Sequence, residues 1–151
     1  MLWKQSYDGS SVLMPAQRVY MGADRGGKFP HCFEATSNGC AAARTEETAI
    51  KRSINELVER DAFVRMWYSG ESRPKISLDN FPHVKELKEN RLESEHLSLD
   101  LLKMKSGLPV FAVGCVAHDR RERTPKFVIG TAAAPRKEDA LIEALIEAVQ
   151  G

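Results

Sequence analysis

Compared with itself at an offset of 91 residues, the chain repeats. "GCAAARTEETAIKRSINELVER" (39–60) aligns without gaps to "GTAAAPRKEDALIEALIEAVQG" (130–151), with Gly39/Gly130, the three-alanine runs, Glu47/Glu138, Ala49/Ala140, Glu56/Glu147 and Val58/Val149 identical. Alanine and glutamate are common in helices, so single identities arise readily by chance. The shared order of apolar strand, glycine, three alanines, loop and amphipathic helix is harder to obtain by accident. An internal strand-turn-helix duplication, about 39–60 and 130–151, therefore constrains the fold more than any other feature. Two such units usually pack about an approximate two-fold axis, so equivalent positions face each other, and the pair that matters is Glu56 and Glu147.

The rest of the chain supplies a sheet for these helices. "SVLMP" and "RVYM" read as short extended stretches. The glycine-rich break "GADRGGKFP" leads into the strand-like "HCFEATS". Helical periodicity runs from Thr45 to about Tyr68, and the proline-bearing "SGESRPKISLDNFP" (69–82) reads as loop. "HVKELKENRLESEH" has few apolar positions and alternating charge, which predicts a solvated helix. "GLPVFAVGCVAHDRRERTPKFVIGTAAA" places two apolar runs around a charged turn and predicts a buried antiparallel hairpin, before a last helix from about Arg136 to Gln150. The expected fold is α+β: a mixed, mainly antiparallel sheet carrying the two repeated helices on one face, with the charged helix near residues 83–96 outside. At 151 residues, 42% hydrophobic and 28% charged, with no low-complexity linker, one domain is expected.

Bulk properties exclude several function classes. A formal net charge of +1 gives no basic patch for nucleic acid or an anionic membrane. No apolar run approaches membrane-spanning length, and "MLWKQSYDGSSVLMP" lacks the blocks of a signal peptide, so a cytoplasmic location is expected. Cys32, Cys40 and Cys115 are an odd set without C-x-x-C spacing and read as reduced thiols. His31, His83, His96 and His118 are scattered singly and read as surface or structural residues.

On a helical wheel with Glu56 at zero, Glu59 falls at about −60°, Arg60 at about +40° and Ser53 at about +60°. Ile50, Ile54, Leu57 and Val58 fall between about 100° and 200°, so polar and apolar faces oppose each other. One reading is a surface helix whose Glu56 and Arg60 form an ordinary i,i+4 pair. The other notes that Ala49, Phe63 and Trp67 lie within about 20° of Glu56. That makes the acidic face partly covered. Glu147 and Gln150 in the second unit stand beside the small Ala140 and Ala144. Carboxylates crowded in such a place stay ionised only beside a cation, and Mg²⁺ uses few protein oxygens when it also holds a nucleotide's phosphates. Spacing alone leaves both readings open.

"TSNGCAAARTEETAIKRSINELVERDAFVRMWY" resembles the central signature of the YcaO-domain family: a Ser-Asn-Gly turn, small residues, a Thr-led helix start and a helix ending in Glu-x-x-Glu-Arg, often followed by Asp-Ala. "GLPVFAVGC" resembles the family's Gly-x-Pro strand, and "GTAAAPRKEDALIEALIEAVQ" the turn and helix that follow. The resemblance spans nearly the whole chain. It implies binding of ATP and Mg²⁺ and ATP-dependent activation of a peptide backbone amide, giving azolines from Cys, Ser or Thr, or thioamides when sulfide attacks. It further implies that Glu56 and Glu59 hold magnesium and that Arg60 contacts the nucleotide phosphates. Ser37 and Asn38 shape the turn beside the nucleotide, and Glu147 and Gln150 occupy the corresponding last helix. No residue is implied as a catalytic nucleophile.

The family pattern has a glutamate where Thr48 stands, with Glu47 one place early. Relative to the family, residues 1–151 are expected to form a single partial domain without the N-terminal ATP-site segment or the C-terminal continuation. The expected partners are a peptide substrate, a chain supplying the further ATP-site helix, and a second copy of this chain. The alternative function is a non-catalytic interaction or scaffold module in a peptide-maturation complex.

Overall fold

The computed structural model describes residues 2–6, 11–20, 32, 36–121 and 125–151. The chain divides into two compact units, residues 1–38 and 39–151. In the first unit, β1 (Leu2–Ser6) and β2 (Ser11–Pro15) form an antiparallel pair in which Trp3 faces Met14 in register. A single helical turn, α1 (Ala16–Val19), follows where "RVYM" was expected to be extended. Gln17 Oε1 accepts from the Cys32 amide at 3.1 Å. Most of the strand expected at "HCFEATS" lies outside the described residues.

The second unit holds the duplicated segments. Helix α2 (Glu46–Ser69) begins at Thr45, an extended residue whose hydroxyl accepts from the Thr48 amide at 3.3 Å. That bond satisfies one orphan N–H, and Glu46 and Glu47 in the first turn favour the positive end of the helix dipole. The helix stops at Gly70, which takes the left-handed conformation (φ 60°) that glycine adopts without strain. Pro82 opens α3 (Pro82–Leu87), and Lys88–Leu92 continues it as one wide π-helical turn. The predicted charged helix therefore ends at Leu92, four residues short of its expected limit.

Strands β3 (Leu97–Met104), β4 (Phe111–Asp119) and β5 (Phe127–Ala134) form an antiparallel sheet in the order β3-β4-β5, and α4 (Lys137–Gln150) closes the chain. The hairpin β4–β5 is the predicted one. The pattern analysis passed over β3, although Leu97, Leu99 and Leu101 alternate as a half-buried strand should. The outer edge of β3 is covered by residues 74–76, where Ile76 N donates to Leu101 O (2.8 Å) and Lys103 N to Pro74 O (3.1 Å). Among the described residues no strand covers the outer edge of β5.

The α+β class and the antiparallel sheet match the expectation. The expected placement of both repeated helices on one face requires correction, and strand alternation gives the reason. Val113, Cys115, Ala117, Ala132 and Ala134 point to one face and pack with Val84 of α3 and with Leu141, Ala144 and Leu145 of α4. Ala112, Ala133 and Met104 point to the other and pack with Val58 and Ala62 of α2. Long helices thus cover opposite faces. The duplication is also incomplete at the strand level: Gly130–Ala134 lie in β5, whereas Gly39–Ala43 form an irregular loop.

The two copies of the repeated glycine meet different demands. A Cβ on Gly130 would lie 2.3 Å from Ala148 N and 2.6 Å from Ala144 O, so α4 touches β5 backbone to backbone. Gly39 has φ +75°, and a Cβ there would meet Leu57 at 3.1 Å. We predict that Gly130→Ala destabilises the chain by about 3 kcal/mol, because helix and strand must separate. Gly39→Ala should cost about 1–2 kcal/mol, mainly backbone strain. Urea unfolding of both variants checks this; a Gly130→Ala midpoint equal to that of the parent would refute the close approach.

Candidate functional site

The acidic site begins with the loop that enters α2. Gly39 is clamped at both ends of its residue by one face of α2: its N–H donates to Glu56 Oε2, and its carbonyl accepts from Ser53 Oγ at 2.6 Å. The other Glu56 oxygen accepts from Arg60 Nε at 3.0 Å. Both oxygens of Glu56 are therefore engaged, and the Arg60 guanidinium is held by its Nε edge. Among the described residues the terminal N–H groups of Arg60 meet no acceptor. Its carboxylate neighbours raise the Arg60 pKa further above its ordinary value, Glu56 first through the hydrogen bond.

The second copy repeats the device one residue along. Glu147 Oε2 of α4 accepts from the backbone N–H of Thr131 at 2.7 Å, where its counterpart Glu56 accepts from Gly39. Gly130 makes this reach short, since α4 already lies against β5. From the opposite face, Glu59 of α2 accepts from Thr131 Oγ1 at 2.6 Å. Thr131 is 7% exposed and is the buried polar residue of the described core. Helices on opposite faces of the sheet thus place carboxylates on one residue at the open edge of β5. Each of these charge-assisted bonds is worth about 1.5–3 kcal/mol.

Electrostatics show that the carboxylates sense one another. Burial pushes the Glu59 carboxyl above the ordinary range, the Thr131 hydroxyl pulls it down, the Glu147 charge pushes it up again, and Arg60 and Glu56 add smaller opposing effects. Duplication and helical spacing led to the expectation that the acidic faces meet. In the structure it is Glu59, not Glu56, that meets Glu147 through Thr131; Glu56 lies one turn earlier on α2 and holds Gly39 and Arg60, and Arg60 directly follows Glu59. Gln150 follows Glu147 by one turn and is exposed. Ser37 and Asn38 are exposed and belong to the first unit. Thr48, standing where the family pattern has glutamate, shares a 2.7 Å hydroxyl contact with Thr45 and lines a depression with Ala42, Ala43, Arg44 and Arg52.

Among the described residues no three His, Cys, Asp or Glu side chains cluster tightly enough to hold a metal by themselves. Such a cage is not what Mg²⁺ requires beside a nucleotide, where one or two carboxylates suffice and phosphate and water complete the octahedron. Glu59 Oε2 and Glu147 Oε1 carry no hydrogen bond among the described residues, and the Glu59 carboxyl is pushed up first by burial and then, more weakly, by the Glu147 charge. The donor set fits a hard divalent cation held by two carboxylates. Thiol chemistry has no comparable support: burial pushes the Cys115 thiol up to about 12. Sequence reasoning missed Thr131, whose only signal was its place beside Gly130 in the duplicated turn.

Helix-covered faces of an antiparallel sheet, with carboxylates gathered at an edge strand, define an α+β protein with an acidic cluster at the sheet edge. Residues 3–151 match the family described as YcaO cyclodehydratase, ATP- and Mg²⁺-binding, and the chain belongs to that family. An uncharacterised protein of Methanothermobacter thermautotrophicus is 31% identical over 126 residues, spanning 78% of this chain and 31% of the relative. The structure of YcaO from Methanopyrus kandleri bound with AMPPCP and Mg²⁺ superposes with a TM-score of 0.80 at 28% identity, covering 93% of this chain and 37% of that one. A heterocyclase in complex with substrate and cofactor gives a TM-score of 0.82 at 26% identity, covering 99% and 20% respectively. The chain thus spans about a third or less of the length of these relatives.

The raised Glu59 carboxyl has a consequence for stability. Its folded form holds a proton more tightly than its unfolded form, so the cluster's contribution to stability is lost as pH rises from the usual value of 4.5 through the raised one. Glu59→Gln removes this burden while keeping an acceptor for Thr131. We predict that the variant melts a few degrees above the parent at pH 7 without ligand, and that the gap closes below pH 4. Thermal melts at both pH values check it; a variant less stable at pH 7 would contradict the assigned repulsion.

Proposed function

We propose that this chain carries part of the ATP- and magnesium-binding site of a YcaO-type enzyme that activates a peptide backbone amide, leading to an azoline from Cys, Ser or Thr or to a thioamide, in modified-peptide biosynthesis in the cytoplasm. The observation that carries the reading is the meeting of Glu59 and Glu147 on Thr131. Glu59 and Glu147 are the metal-holding pair, each with one oxygen fixed and the other without a hydrogen bond among the described residues. Glu56 orients Arg60, whose terminal N–H groups hold phosphate oxygens. The exposed Gln150, one turn after Glu147, is a further nucleotide contact. Magnesium, when bound, neutralises phosphate charge, which is the main requirement of phosphoryl transfer.

The protein therefore supplies positioning and charge rather than a nucleophile. A peptide substrate is the proposed partner. A second reading, an interaction module in a peptide-maturation complex, draws on the apolar stripe of α2. There Ile50, Ile54 and Leu57 are 52%, 46% and 50% exposed, whereas their counterparts Leu141, Leu145 and Ala148 in α4 are buried. The stripe suits a docking partner, and a purified complex without ATP hydrolysis would favour that reading.

Isothermal titration of the chain with ATP, with and without Mg²⁺, tests the site. The expected result is magnesium-dependent binding that Glu59→Gln or Glu147→Gln weakens about tenfold or more, and that Arg60→Ala weakens by a similar factor. Binding unchanged in both glutamate variants would overturn the assignment.

A further inference from the structure

Thr131 occupies an unusual place for a strand residue. A threonine in an edge strand normally turns its hydroxyl to water or to nearby backbone. Here the side chain lies on the α2 face, buried, and its hydroxyl donates to a carboxylate 72 residues away in sequence. The same residue's amide donates outside the sheet to Glu147 on α4. Its register partner on β4 is Gly114. One residue on a rigid strand thus fixes one oxygen from each of two helices that share no hydrogen bond with one another among the described residues.

We propose that Thr131 is a positioning residue of the metal–nucleotide site: by holding Glu59 Oε1 and Glu147 Oε2 it fixes where the other two carboxylate oxygens lie. This rests on the reading of Glu59 and Glu147 as the metal-holding pair. Such supporting partners fix the rotamers of groups that bind a cation directly, and losing one weakens metal affinity. The amide bond to Glu147 survives any side-chain change, so the hydroxyl contact to Glu59 is the part that substitution can remove. Valine keeps the shape and strand preference of threonine but cannot donate. Serine keeps the donor and loses only the methyl group.

The test compares parent, Thr131→Val and Thr131→Ser by isothermal titration with ATP, once with Mg²⁺ and once with EDTA, alongside their melting curves. The expected result is an affinity for ATP in Mg²⁺ about 10- to 100-fold weaker in the valine variant, with binding in EDTA unaltered and the serine variant restored towards the parent. A folded valine variant that binds like the parent would overturn the proposal. Equal weakening by serine and valine would overturn it too, because the methyl group rather than the hydroxyl would then matter. A parent that shows no magnesium-dependent binding would remove the metal-site reading itself, and the positioning role with it, a result separable from the other two.

Discussion

Three residues on two helices and one strand hold the site together: Thr131 gives its amide to Glu147 and its hydroxyl to Glu59. Everything nearby serves that junction. Gly130 lets α4 approach β5 without a side chain between them, which brings Glu147 within reach of the next amide. Strand alternation turns the Thr131 hydroxyl to the face covered by α2, where Val58 and Ala62 seat the helix and so place Glu59. Among the described residues no strand pairs with β5 on the side of this cluster. Crowded, half-satisfied carboxylates oppose folding, and such local conflict with stability is expected where a binding site is kept ready for its ligand.

The internal repeat makes one segment do different work in its two copies. In the second, the run after glycine is a strand, the helix buries Leu141 and Leu145, and the repeated glutamate reaches a strand amide. In the first, the same run is a loop, the equivalent isoleucines are half exposed, and the repeated glutamate holds the loop glycine and Arg60. Helix α2 meets the sheet instead through Val58, Ala62, Phe63 and Met66, a face turned away from the Ile50–Ile54 stripe. A rotated helix explains how Glu59, which has Gln150 as its counterpart, becomes the residue that faces Glu147.

Much of this was legible in the sequence. Helical periodicity from Thr45 to about Tyr68 gave α2 within a residue, and apolar runs about a charged turn gave β4 and β5. The repeat pointed to Glu56 and Glu147 as the facing pair, whereas Glu147 meets Glu59 through Thr131 and Glu56 holds Gly39 and Arg60. Which sheet face each helix takes was not legible, because it depends on whether a core residue is odd or even along β4 and β5, and the alanine run "AAA" is small enough to pack on either side. The burial of α2 was misjudged for a related reason: helical spacing shows that Ile50, Ile54 and Leu57 share a face, not what that face meets. Strand β3 hid behind an acidic helix whose charges run on to Glu95. Thr131 carried no signal by type, since threonine is ordinary in strands; only the pairing of its amide and hydroxyl with carboxylates from two elements gives it meaning.

The central claim is that Glu59 and Glu147 occupy one electrostatic site. A double-mutant cycle on the stability of the ligand-free chain at pH 7, with Glu59→Gln, Glu147→Gln and the pair followed by urea unfolding, measures this without assuming any ligand. Each change alters a side chain that the other meets through Thr131, so the effect of the double variant should differ from the sum of the two by at least about 0.5 kcal/mol. Strict additivity would mean that the two side chains do not sense each other, and would contradict the account.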